Sequence, residues 1–253
     1  FHSFVAGAFF NNNTPAITAA IRAGEFFKRS GLNELNPYYD AELNMELTCR
    51  QNYHLMLSDG YYNDPIWPTE AAAASSILTS RTLPDGRTYD PAAAVSKIIG
   101  NELPRIVMCG ALQDKLCSPS YSDVAFHYWS SDLRPDLDNE VAQILNDRNL
   151  GVSGPAGALP ANPFNNNEVY FNPANDPANW QHLVQFYIAF GLSGTLAQTP
   201  QVLTQLRNGS LPWPSPVQDQ QRALDDAWHA TLVSRGRMFA TNNVQQLSDA
   251  LVE

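Results

Sequence analysis

The residue best placed to do chemistry is Asp59, a carboxylate in the turn that directly follows the strand-compatible run from Tyr53 to Leu57. The triplet Ser58-Asp59-Gly60 supplies turn residues, and ligands of open α/β sheets bind at the carboxyl ends of the strands. The pattern therefore predicts a buried strand that delivers Asp59 to an exposed turn, where many α/β proteins present a metal or phosphate ligand. The alternative is that Asp59 is only a turn residue, because Asp-Gly pairs are common in turns.

Histidines and a pair of adjacent acids are the other groups that could do chemistry. No His-x-x-x-His or His-Glu-x-x-His spacing connects two histidines, so we expect them to be structural. Asp225 and Asp226 fall in a predicted helix, on which neighbouring side chains point about 100° apart, and we expect them to stabilise its N-terminal half electrostatically. No glycine-rich phosphate loop and no Gly-x-Ser-x-Gly elbow is present. The histidines within or beside predicted elements are His54, His127, His182 and His229.

The three cysteines suggest one disulfide. Cys109 and Cys117 are close enough in sequence to close a small loop, and in an oxidising compartment they would pair. A metal site is disfavoured, because two cysteines without a second Cys or His cluster nearby do not form a tetrahedral set. Cys49 then remains as a buried free thiol or pairs with a cysteine outside this chain.

The composition is that of an acidic, extracytoplasmic protein. The net charge is -10 and the pI is about 4.8, which disfavours a surface for nucleic acid or for an anionic membrane. Charged residues make up 16% of the chain, while Asn, Gln, Ser, Thr and Pro are plentiful. No apolar run reaches the length of about 18 residues that a membrane span needs.

Strands and helices alternate along the chain, which predicts a mainly parallel sheet covered on both faces by helices. Thr14 suits the cap and Pro15 the first turn of a helix from Ala16 to Arg29, which Gly31 ends. We expect one domain over residues 1–253, with loop-rich insertions at about 61–119 and 134–179. The ends of the chain are those expected of a fragment of a longer protein. Further predicted elements are helices over 120–133, 199–207, 222–235 and 244–252 and strands over 182–190 and 237–240.

Several segments together resemble the N-terminal region of PilY-type proteins, a family of bacterial type IV pilus assembly and tip-adhesin proteins. The resemblance covers most of the chain in the right order and leaves only the loops unmatched. It implies a von Willebrand factor A-like domain, that is, a Rossmann-like α/β fold. The matching segments are Cys49 to Asn63, Ser122 to Arg134, Asn179 to Gly194, Asp225 to Ala230 and Ser234 to Phe239.

The resemblance also implies a metal-ion-dependent adhesion site (MIDAS) for Mg²⁺ or Ca²⁺, built from three loops. Thr14 matches the threonine of the second loop and Asp59 the aspartate of the third. The first loop, Asp-x-Ser-x-Ser, and the strand before it are missing, and the order of the fold would place them upstream of Phe1. Mg²⁺ prefers near-octahedral oxygen ligands, so we expect the intact protein to bind metal and this fragment to lack ligands.

The function that the resemblance implies is a non-enzymatic interaction domain that supports pilus assembly and adhesion at the pilus tip, in the periplasm or outside the cell. Its partners would be minor pilins and a host or abiotic surface, with Tyr61 and Tyr62 as contact candidates if they are exposed beside Asp59. One alternative is a secreted hydrolase that uses Asp59 with His182 or His229. Another is a purely structural domain whose adhesion site has decayed.

Overall fold

The computed structural model describes residues 14–63, 68–83, 88–89, 119–145, 174–207, 210–241 and 248. Cys109 and Cys117 lie outside these residues, as does the helix predicted over 244–252 except for one position. The described helices are α1 (Ala16–Phe26), α2 (Ala71–Ile77), α3 (Tyr121–Ser130), α4 (Pro200–Arg207) and α5 (Gln221–Val233), with a 3₁₀ helix at Pro68–Glu70. The strands are β1 (Tyr39–Asp40), β2 (Met45–Glu46), β3 (Asn52–Ser58), β4 (Arg81–Thr82), β5 (Thr88–Tyr89), β6 (Ile144–Leu145), β7 (Asn175–Asp176), β8 (Leu183–Phe190) and β9 (Met238–Thr241).

A parallel three-stranded sheet of order β3-β8-β9 is the centre of the described fold. Asn52 pairs with Leu183 at the start of β3, and Ser58 pairs with Ala189 at its end. Three short antiparallel pairs, β1-β2, β4-β5 and β6-β7, lie outside this sheet. The prediction of a mixed α/β fold with a central parallel sheet and flanking helices is therefore confirmed.

Helix α3 is the centre of the core, because all ten of its residues are buried. It packs against α1, α2, α5 and β8, and the Tyr121 ring meets the Tyr187 ring edge to face at 5.8 Å. Gly24 allows α1 to approach α3 closely, since a Cβ there would lie 2.4 Å from the Tyr128 ring. A helix buried on all sides needs partners for its polar groups, and Glu25 of α1, Gln185 of β8 and Asp226 of α5 accept hydrogen bonds from its side chains.

Strand β3 is buried on only one face, which corrects the prediction of a buried strand. Tyr53, Leu55 and Leu57 are between 52% and 58% exposed, and among the described residues no helix covers this side. The inward face carries polar groups instead, and they find partners in the core. Asn52 donates to the Tyr38 hydroxyl at 2.8 Å, and His54 Nδ1 lies 2.6 Å from Gln185 Oε1.

Several helix ends differ from the predicted ones, and α1 ends at Phe26 and not at Arg29. Helix α1 begins at Ala16 with Pro15 at the cap position and no side-chain cap, so the predicted capping role of Thr14 is wrong. After α5, Arg235 takes the left-handed conformation, with φ of 70°. Gly236 follows it and leaves room for the sheet, because a Cβ there would lie 1.8 Å from the Gln185 carbonyl oxygen.

Candidate functional site

The two sequence-predicted metal ligands lie on loops that meet at the carboxyl end of the sheet. The Thr14 amide donates to Asn63 Oδ1 at 2.6 Å, and the Asn63 amide donates to the Thr14 carbonyl at 3.3 Å. A Cβ on Gly60 would lie 2.8 Å from Thr14 Oγ1, so the hydroxyl lies against the residue that follows Asp59. The start of α1 and the turn after β3 therefore form one surface.

The turn that carries Asp59 is fixed by its own side chains. Ser58 is buried, and its hydroxyl donates to the Gly60 carbonyl at 2.8 Å and accepts from the Gly60 amide at 3.2 Å. Asp59 itself is exposed. The prediction that the strand delivers this residue to an exposed turn is confirmed.

Thr14 and Asp59 fit a divalent cation in chemical type but not in number. A hydroxyl and a carboxylate are oxygen ligands of the kind that Mg²⁺ and Ca²⁺ prefer, but Mg²⁺ takes six and Ca²⁺ six to eight. Among the residues that the structure describes, no group of three or more His, Cys, Asp or Glu side chains could hold a metal ion. The described residues therefore supply a part of a metal site and not a whole one.

The two tyrosines after Asp59 have different surroundings. Tyr61 is partly exposed, and its hydroxyl donates to the Ser193 carbonyl at 3.1 Å. Tyr62 is only 2% exposed, and its hydroxyl donates to Asp226 at 2.8 Å. Exposure was the condition for a partner contact, so Tyr61 remains a candidate and Tyr62 does not.

Asp226 joins three elements around the site, a role that the sequence reasoning missed. Besides Tyr62, it accepts hydrogen bonds from the Tyr121 amide at 2.8 Å and from the Ser122 amide and hydroxyl at 3.2 and 2.5 Å. Its carboxylate thus lies at the N-terminus of α3, where the helix dipole favours a negative charge. The structure thus gives Asp226 a role at the start of another helix, and the predicted electrostatic effect on its own helix stays a prediction. The available signal was an acidic residue set among apolar ones, as in Leu224-Asp-Asp-Ala-Trp228.

Its neighbour Asp225 holds the loop that follows β8. It accepts from the Thr195 amide and hydroxyl at 3.2 and 2.5 Å and from the Leu196 amide at 3.0 Å. Gly194 permits this approach, because a Cβ there would lie 2.2 Å from Asp225 Oδ1. The two adjacent acids therefore point to two different loops at the same end of the sheet.

Burial dominates the electrostatics of this region. It raises the pKa of Asp226 to about 6, although four hydrogen bonds to the carboxylate oppose the rise. It also raises the pKa of Asp123 to about 7, and the nearby Asp226 charge adds to this rise. Asp123 completes a capping box with Ser120 at the start of α3, so the two acids stabilise the same helix end from two sides.

The histidines named for a hydrolase do not form a catalytic group with Asp59. His182 lies just before β8, at the opposite end of the sheet, and β3 separates the two ends by about 20 Å for its seven residues. Its ring nitrogens lie 2.7 Å from the Trp180 carbonyl and 3.0 Å from Asp176. His229 is fully buried and stacks on Trp213 at 4.1 Å.

Cys49 is exposed and unpaired in the structure, so the alternative of a buried thiol is wrong. In the described part of the chain, no helix has both the length and the apolar character to cross a membrane.

Three curated proteins match nearly the whole chain, and all are type IV pilus biogenesis factor PilY1 from Pseudomonas aeruginosa. The match is 30% identical over 242 residues in strain PAK, 29% over 245 in strain PAO1 and 27% over 260 in strain UCBPP-PA14. The chain is homologous to a segment of PilY1. The aligned parts cover 92% to 99% of the chain but only 18% to 19% of PilY1.

No family model matches the chain, and no solved structure matches it. The homology to PilY1 supports the resemblance to PilY-type proteins. The von Willebrand A assignment within the α/β class stays a prediction.

Proposed function

We propose that the chain is part of a non-enzymatic interaction domain of the von Willebrand A type, in a protein that works in type IV pilus assembly and adhesion. The observation that carries this proposal is the meeting of Thr14 and the Asp59 turn at the carboxyl end of a parallel sheet. The homology to a segment of PilY1, whose name describes a type IV pilus biogenesis factor, supports the biological setting.

The ligand at this site would be a divalent cation, Mg²⁺ or Ca²⁺, in the intact protein. Thr14 Oγ1 and the Asp59 carboxylate would hold it from two sides, and the ion would in turn offer a coordination position to an acidic group of the partner. An upstream Asp-x-Ser-x-Ser loop would supply the oxygen ligands that the described residues lack. The freedom of the Thr14 hydroxyl from helix capping supports this role.

The partners would be minor pilins at the pilus tip and a host or abiotic surface, met in the periplasm or outside the cell. Tyr61 is partly exposed and lies two residues after Asp59, so it would contact a partner that binds over the ion. Large aromatic side chains at the centre of an interface often contribute much of the binding energy.

Titration calorimetry of the full-length protein with Mg²⁺ and with Ca²⁺ tests the metal site. We expect binding heat in the wild type and its loss in Asp59→Ala. Asp138→Ala is the matched control, because Asp138 is also exposed but lies near Gln181, at the other end of the sheet. Heat that survives Asp59→Ala, or disappears equally in the control, would contradict the assignment.

The two alternatives predict other outcomes. No heat in the wild-type protein would favour a structural domain with a decayed site. A rate of ester, glycoside or phosphate hydrolysis that falls in His182→Ala would favour the hydrolase, which the separation of His182 from Asp59 disfavours.

A further inference from the structure

We propose that the hydrogen bond from Tyr62 to Asp226 is a positioning contact that holds the Asp59 turn in its ligand-binding geometry before any ion binds. The inference rests on the proposed metal site, since it assigns a role to residues that would not touch the ion. Tyr62 is therefore a positioning residue and not a ligand.

The first step is the place of Tyr62 in the chain. It follows Asp59 by three residues, and its side chain is buried while Asp59 is exposed. The hydroxyl reaches Asp226 Oδ2 at 2.8 Å, and the Tyr62 carbonyl accepts from the Asp219 amide at 3.1 Å. The turn thus has a fixed anchor directly behind the candidate ligand.

The second step is that the anchor is joined to the other ligand loop. Asn63, the next residue, pairs in both directions with the Thr14 backbone. A shift of Tyr62 would move Asn63, and with it the distance between Thr14 and Asp59. The buried Tyr62 hydroxyl is therefore linked to both candidate ligand loops through one neighbouring residue.

The third step is that the partner of Tyr62 is itself rigid. Asp226 is 2% exposed and accepts four hydrogen bonds, two at each oxygen. A carboxylate offers about four lone-pair sites, so every one of them is used. Three of the four donors belong to the first turn of α3, which is buried on all sides. Asp226 is therefore held in place by the core and not by the Asp59 turn.

The substitution Tyr62→Phe tests this role, because it removes only the hydroxyl. Tyr121→Phe is the matched control: Tyr121 is equally buried, its hydroxyl donates to Gln185 at 3.3 Å, and it does not belong to the Asp59 turn. Both variants are made in the full-length protein. Their Mg²⁺ affinity is measured by calorimetry, and amide hydrogen exchange over residues 58–63 is measured without metal.

We expect Tyr62→Phe to weaken Mg²⁺ binding by roughly 10- to 100-fold, as loss of an outer contact at a metal site does. Exchange over 58–63 should accelerate in this variant alone, while both variants lose similar thermal stability. Equal Mg²⁺ affinities in the two variants would overturn the positioning role and leave the metal site standing. If the wild type binds no Mg²⁺, the proposed metal site fails. In that case faster exchange in Tyr62→Phe still supports the anchor, and unchanged exchange overturns it.

Discussion

The two ends of the parallel sheet use polar residues in opposite ways. At the amino end, Arg134 is 1% exposed and donates to Asp136, Glu46 and the Arg29 carbonyl at 2.7 to 2.8 Å. His182 is likewise placed between two acceptors. At the carboxyl end, the side-chain oxygens of Thr14 and Asp59 have no structural role among the described contacts. The contrast separates polar groups that stabilise the fold from those left free for a ligand.

The buried acids at the carboxyl end show how the side chains that are left for a ligand are held in place. Asp225 and Asp226 are as buried as Arg134, but their hydrogen bonds fix loops at the carboxyl end. A ligand site works best when rigid outer contacts hold its ligands. If this division holds, substitutions at the amino end change stability alone, and those at the carboxyl end change ligand binding more than stability.

The largest effect on stability is expected from Arg134→Leu. The substitution removes a buried cation from Glu46, from the more exposed Asp136 and from a carbonyl, and hydrogen bonds to charged groups are each worth about 1.5 to 3 kcal/mol. Urea unfolding measures this loss, and Mg²⁺ binding of the folded variant should be unchanged. Arg22→Leu is the control, because the Arg22–Glu70 pair has its arginine 49% exposed and should cost less than about 1 kcal/mol. Weaker metal binding in Arg134→Leu would contradict the separation of the two ends.

The next largest effect is a pH dependence that Asp226→Asn removes. The folded pKa of Asp226 is raised to about 6 from 3.8, so the wild type loses stability as the pH rises from about 4 through 6. The variant has no titrating group at this position, so the difference in free energy of unfolding between wild type and variant should shrink over that range by about 2 kcal/mol. His54 and His127, whose burial lowers their pKa values, are present in both proteins and cancel. Asp123 titrates in the same range, and because the Asp226 charge helps to raise its pKa, its contribution changes the difference between the two proteins in the same direction. Unfolding in urea at pH 4.5 and pH 7.5 provides the comparison, and a deficit that grows with pH would show that the ionised carboxylate is favoured instead.

The sequence predicted what short-range patterns determine. The turn at Asp59 follows from Ser-Asp-Gly after a strand, and the parallel sheet follows from the alternation of strands and helices. The contact of Tyr62 with Asp226 joins residues 164 positions apart, and no local pattern encodes it. The sequence also did not reveal which face of β3 is buried, because an apolar strand suggests that its apolar side chains point inward. In the structure, Asn52 and His54 face inward, since the core offers them hydrogen-bond partners.

The smallest effect on stability, and the sharpest test of the comparison, is expected from Thr14→Val. Valine keeps the shape of threonine and removes only the hydroxyl, which does not cap α1, so the free energy of unfolding should change by less than about 0.5 kcal/mol. Ser120→Ala is the matched control at another helix start: Ser120 caps α3 through the Asp123 amide, and its loss should cost about 1 kcal/mol. Mg²⁺ affinity of the full-length protein should fall in Thr14→Val. A Thr14→Val protein that loses stability but keeps its metal affinity would place Thr14 with the structural residues, and the difference between the two ends would then rest on Asp59 alone.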